Sequence, residues 1–114
     1  MNTLKNKVQL IGNLGAAPEI RILQSGTKVA RMRLATNEIR RNAQGEKTEH
    51  TQWHTLVAWG NEAEIAEKYL QKGAEVLVEG KIEYRSYTDK TGVERYVTEI
   101  EVQHLLMLDK KAAA

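Results

Sequence analysis

A chain of 114 residues has room for one folded domain. Hydrophobic residues make up 41% and charged residues 28%, a globular composition rather than a disordered or membrane one. No apolar run nears the roughly 20 residues of a bilayer-spanning helix, Met1 to Lys5 lacks the apolar stretch of a secretory signal, and the absence of cysteine excludes disulfides, thiolate zinc sites and thiol catalysis.

The net charge of +2 is modest, but its distribution is uneven. Residues 1–60 carry nine Lys/Arg against four Asp/Glu, and residues 61–114 carry eight against eleven. A basic half beside an acidic half predicts one electropositive face.

Turn residues divide the chain into strand-length pieces. A first strand is expected over 5–13, ending among Gly12 and Gly15, with a short one near 19–23 and Ser25-Gly26 after it. From Lys28 to Asn37, Ala30, Met32 and Leu34 alternate with Arg31 and Arg33, the period of a half-buried strand. A third long strand is expected over 50–59, then a helix, then strands over 75–87 and 94–106 flanking the turn Asp89-Lys90-Thr91-Gly92. The helix has Asn61 as N-cap, with Glu64 completing a capping-box pair. Its apolar stripe is Ala63, Ala66 and Leu70 with Ile65 and Tyr69 beside it, and Lys72-Gly73 closes it. Three strands, one helix and two strands is the order of the OB-fold: mainly β, a five-stranded Greek-key barrel with the helix between strands 3 and 4. Residues 1–108 form this domain, and 109–114 are expected to be a short frayed end.

No catalytic group stands out. His50, His54 and His104 have no ligand-like spacing, because an i, i+4 pair in a strand lies about 13 Å apart. There is no phosphate-cradling Gly-Lys-Ser/Thr loop and no nucleophile elbow. Glu62, Glu64 and Glu67 read as the solvated side of the helix. No metal and no cofactor is expected.

The aromatics carry more. Only Trp (two) and Tyr (four) occur, with no Phe, so aliphatics must fill the barrel. Trp53 and Trp59 share one parity with Thr55 and Val57, opposite His54, Leu56 and Ala58, and Tyr87 shares parity with Arg85. Aromatics on a groove wall among Arg and Lys suit single-stranded nucleic acid, since every base offers a π-face. The other reading buries both Trp residues and turns Leu56 outward. On pattern alone both stand, and Arg31 and Arg33 are either a phosphate-tracking stripe or an ordinary solvated face.

Several segments in order resemble the bacterial single-stranded DNA-binding proteins, from about Lys5 to Leu108. They are Asn6-Lys7-Val8-Gln9-Leu10-Ile11-Gly12-Asn13-Leu14-Gly15 with Pro18-Glu19, Leu34-Ala35-Thr36, and Thr51-Gln52-Trp53-His54. Ala66 to Gly73, Val78-Glu79-Gly80 and Tyr87 to Gly92 running into Arg95-Tyr96-Val97-Thr98-Glu99 complete the match. The resemblance implies a cytoplasmic OB-fold homotetramer without enzymatic activity that coats single-stranded DNA in replication, recombination and repair. By position it implies base stacking on Trp53, Trp59 and Tyr87, and basic groove contacts from Arg21, Lys72 and Arg85. It also implies subunit contacts at His54; further contacts are expected through Lys7 and Gln9 of the first strand and outward residues of the fourth long strand such as Leu77.

The chain departs from the family pattern at Ile39-Arg40-Arg41, where an aromatic is expected in the loop after the second long strand. Arg40 replaces that stacking through its guanidinium plane, or the contact is lost. Basic family positions appear as Thr55, Asn61, Glu83 and Ser86, with Arg31 and Arg33 as compensating charges. The family's flexible linker and acidic tip have no counterpart after Leu108, so weaker recruitment of tail-reading repair and replication proteins is expected. Two rival functions share the fold: a replisome or primosome accessory subunit acting through protein contacts, and a single-stranded RNA binder.

Overall fold

The computed structural model describes residues 4–108. In chain order these form β1 (Val8–Leu14), β2 (Glu19–Ile22), β3 (Lys28–Arg41), β4 (Lys47–Trp59), α1 (Asn61–Tyr69), β5 (Glu75–Thr88) and β6 (Glu94–Met107). The expected end segment 109–114 lies outside the described residues.

Five strands close into a ring. Antiparallel β1–β5 pairing runs from Val8↔Gly80 to Asn13↔Glu75, and the end of β1 crosses to β3 at Asn13↔Ala35 and Leu14↔Leu34. The ring continues through antiparallel β3–β4, a short parallel contact of β4 with β6 at Leu56↔Ile100 and Val57↔Glu101, and antiparallel β5–β6. β2 hems the outside of β3. This is the expected barrel with its helix between the third and fourth ring-forming strands, β4 and β5, and closure removes most open sheet edges. The crossing at β1 is tight: a Cβ on Gly12 would lie 2.2 Å from the Ala35 carbonyl oxygen.

Alternation fills the interior. Ala30, Met32 and Leu34 of β3, Leu56 and Ala58 of β4, and Val76 and Val78 of β5 all point inward and are buried. Ile100 and Val102 of β6 join them, and one extra residue at Gln103 then flips the parity so that Leu105 and Met107 turn inward. Ala63 and Ala66 of α1, with Leu70 just past its end, close one end of the barrel. None of the buried core residues is aromatic.

Two expectations at the helix need correction. The N-cap is Gly60, not Asn61, and among the described residues no side chain caps the helix. Gly60 adopts φ 61°, turns the chain out of β4, and its carbonyl accepts the Glu64 N–H at 3.0 Å, so Asn61 already sits inside the first turn. At the other end, the helix stops at Tyr69 and Leu70 is extended, which drives its side chain into the barrel mouth. Gly73 belongs to the following Gln71–Ala74 turn, where its N–H donates to the Leu14 carbonyl at 2.8 Å. Tyr69 faces solvent rather than the apolar stripe.

The strands also outrun the 28–37 and 50–59 expected from burial. β3–β4 pairing continues to Arg41↔Lys47, so Ile39-Arg40-Arg41 is strand rather than loop, and β5–β6 pairing reaches Thr88↔Glu94. Both hairpins project past the barrel as arms. Their backbone ladders persist, but with no core beneath them the apolar alternation that marks a strand in sequence disappears. At the β5–β6 tip, Asp89 organises the turn: Oδ1 accepts the Thr91 and Val93 N–H groups and the Thr91 hydroxyl, and Oδ2 accepts Arg95 Nε–H at 2.8 Å.

These bonds, those from Thr91 and Arg95 first, lower the Asp89 pKa to about 2. A depressed carboxylate pKa stabilises the turn at pH above the unfolded value and loses that contribution as pH falls toward about 2. Protection of the Thr91 and Val93 amides, relative to the unstructured exchange rate at each pH, is therefore expected to fall between pH 4 and roughly pH 2 ahead of protection in β1, and Asp89→Asn to abolish the difference. A uniform loss of protection across the barrel would refute this.

Candidate nucleic-acid interface

Because Leu56 and Ala58 point into the barrel, the other parity of β4 must face out. Opposite it across β3, the register places Val29 beside Trp59, Arg31 beside Val57, Arg33 beside Thr55 and Ala35 beside Trp53. Trp53 is 51% exposed and Trp59 45%, which decides for the groove wall over the core. Tyr87 on β5 is 46% exposed and shares a side with Arg85.

Trp53 is held from two directions. The Arg33 guanidinium carbon lies 5.4 Å from its ring centroid, a cation–π contact. The backbone at Gly15 lies against its ring edge, where a Cβ would come within 2.6 Å of Cζ3. The absence of a side chain at Gly15 thus makes the seat for the indole.

At the Trp59 end of the same face, a cleft of about 600 Å³ runs between β2, β3, β4 and the β5–β6 arm. Trp59, Val29 and Val57 give it apolar walls, and Arg21, Arg31 and Arg85 line it with positive charge. At its base is Glu99, only 7% exposed. Arg85 donates to both its carboxylate oxygens, Nε to Oε1 at 3.1 Å and Nη2 to Oε2 at 2.9 Å, and Arg31 Nη1 donates to Oε2 at 2.8 Å. The Arg85 bonds chiefly, with Arg31 adding to them, hold the Glu99 carboxyl below the usual carboxylate range. The same contact raises the pKa of Arg85.

Other expected residues sit elsewhere. Arg40 is on the opposite side of the β3–β4 arm from Trp53 and is tied to Glu38, while Ile39 and Arg41 continue the Trp53 parity. Lys72 is exposed in the turn between α1 and β5, outside the cleft. His54 shares the parity of Leu56, is half-buried, and its Nε2 lies 3.0 Å from the Thr36 hydroxyl; burial lowers its pKa. Lys7 pairs with Glu79 at 3.3 Å, Gln9 is exposed opposite Glu79, and Leu77 lies between Ile11 and Leu106 on the outer surface. Glu99 was not singled out by sequence reading: it is one acid in an acidic half, and its partners come from β3 and β5. Among the described residues no group of three or more His, Asp or Glu is arranged to hold a metal ion.

The Gly15 seat is open to test with Trp59→Phe as background, which leaves Trp53 as the sole indole. Adding Gly15→Ala is expected to displace the ring, shift its emission to the red and raise its collisional quenching. An unchanged spectrum in a folded variant would show that the loop does not hold Trp53.

Residues 5–108 match the Single-strand binding protein family. The chain is 46% identical over 107 residues to single-stranded DNA-binding protein 1 of Xylella fastidiosa, covering 93% of this chain and 79% of the relative. It is 44% identical over 103 residues to the single-stranded DNA-binding protein of Xanthomonas campestris, covering 90% of this chain and 60% of that one. Among solved structures, it resembles a Plasmodium falciparum SSB in complex with ssDNA at TM-score 0.85 and 37% identity, covering 96% of this chain and all of the other. A deletion mutant of the Thermus aquaticus single-stranded DNA binding protein matches at TM-score 0.79 and 29% identity, over 91% of this chain and 50% of that one. With a family match spanning the whole barrel and both arms, the chain belongs to the single-strand binding protein family.

Proposed function

We propose that this protein binds single-stranded DNA without reading its sequence, in the service of replication, recombination and repair. The observation that carries the proposal is the outer face of β3 and β4, where two half-exposed tryptophans bracket a run of arginines. Six residues of strand separate Trp53 from Trp59, about 20 Å, a span that several nucleotides of a single strand can follow. Bases stack on Trp53, Trp59 and Tyr87, while Arg21, Arg31, Arg33 and Arg85 neutralise phosphates, with Lys72 and Arg40 as outlying contacts. The likeness to an SSB in complex with ssDNA supports this reading.

The protein acts by binding, not by catalysis, and works in the cytoplasm at exposed single strands. It assembles as a homo-oligomer, a tetramer on the family pattern, so that one strand passes over several grooves. The β1 edge supports this: among the described residues, β1 from Val8 to Gly12 pairs with β5 alone. Beside that edge, Ile11, Leu77 and Leu106 form an apolar line across three strands, flanked by Lys7 and Gln9, and His54 lies by the barrel opening near Val8 and Leu10.

Tryptophan emission is expected to fall strongly on titration with oligo(dT), and Trp53→Ala to weaken binding by about 1–3 kcal/mol, more than Arg40→Ala. Oligo(dT) is expected to outcompete a matched oligo(U) and duplex DNA. Equal binding of oligo(U) would favour an RNA binder, and no binding of either would favour a protein-contact module. Light scattering is expected to give a multiple of the 12.9 kDa chain mass, and the chain mass itself at micromolar concentration would defeat the oligomer.

A further inference from the structure

The Arg31–Glu99–Arg85 cluster has a consequence for DNA binding that follows from its charge count. Two arginines that line the cleft share one carboxylate, and Glu99 is largely removed from water. A buried carboxylate cannot give up its cationic partners without a large desolvation cost. Arg31 and Arg85 therefore remain bonded to Glu99 when the cleft is occupied. Each keeps outward N–H groups: Arg31 gives up one of its five, and Arg85 two. They remain able to touch a phosphate, but the three groups together present one net positive charge instead of two. The other charges lining the cleft are Arg21 and Glu19, and Glu83 stands opposite Glu99 in the β5–β6 ladder.

We infer that Glu99 is a built-in counterion, a positioning residue that fixes Arg31 and Arg85 beside Trp59 and reduces by one the phosphates this cleft neutralises. This rests on the single-stranded DNA reading and adds a role to it: Glu99 trades electrostatic affinity for fixed arginine geometry. The low pKa of Glu99 keeps that counterion charged throughout the neutral range. Single-strand binding loses about 0.7 in log K per unit log salt for each phosphate neutralised, so salt dependence reads the charge count directly.

The experiment titrates oligo(dT) against parent, Glu99→Gln, Arg31→Gln and the double variant across a tenfold range of salt. For Glu99→Gln, the ratio of variant to parent affinity is expected to rise about fivefold for each tenfold fall in salt. Arg31→Gln is expected to move it by the same factor in the opposite direction, and the double variant to recover the parental slope. If Glu99→Gln alone does not fold, the double variant compared with Arg31→Gln carries the same difference. Slopes that ignore position 99 in both backgrounds, with only the melting temperature changed, would overturn the inference and leave Glu99 a structural brace. Failure of the parent to bind oligo(dT) at any salt would instead sink the DNA reading itself.

Discussion

The inward anchoring of Leu56 and Ala58 fixes much of what this molecule presents to its surroundings. They are buried without residual exposure, opposite Met32 and Ala30 of β3. Side chains on a strand alternate strictly, so seating these two in the barrel forces Trp53, Val57 and Trp59 outward. A register slip of one residue would put two indoles into a space filled by Leu, Val and Ala, and would turn Leu56 to water. The core and the groove are two faces of the same constraint.

That constraint explains the unusual use of aromatics. Residues of this size generally serve as core fillers, yet all six are substantially exposed here. The interior is packed by aliphatics together with Met32 and Met107, with the helix alanines Ala63 and Ala66 allowing close approach at the barrel end. Keeping the core free of large rings leaves the aromatics on the strand faces and arms, where flat π-surfaces are available to bases. Arg33 over Trp53 and the bare Gly15 backbone then limit how far the ring can swing, which on the proposed function lowers the ordering cost of stacking a base there.

Charge is handled with similar economy. Arg31 and Arg85 are braced by Glu99, Lys28 by Glu67, and Arg95 by Asp89, so cations inside and outside the cleft are positioned by acids. In two of these pairs an acid of the C-terminal half reaches across to a cation of the N-terminal half, Glu67 to Lys28 and Glu99 to Arg31. The split seen along the sequence is therefore partly neutralised in space.

The barrel and its element order were legible in the sequence because burial writes a period of two into Lys28–Leu34 and a period near 3.6 into Ala63–Leu70. Family resemblance, through segments such as Thr51-Gln52-Trp53-His54, supplied the function that periodicity alone left open. Pattern could not show which face of β4 was wet, since Trp53 and Leu56 are both apolar; only the pairing of Leu56 with Ile100 and Met32 inside a closed ring decided it. The arms were underestimated because ladder hydrogen bonds leave no hydrophobic trace where both faces are solvated. The helix cap was misplaced because Gly60, with a positive φ that the strand exit requires, displaced a good capping residue one position on. Glu99 could be recognised only in three dimensions: its partners lie 68 and 14 residues away, and burial, the property that makes it matter, is set by the fold as a whole.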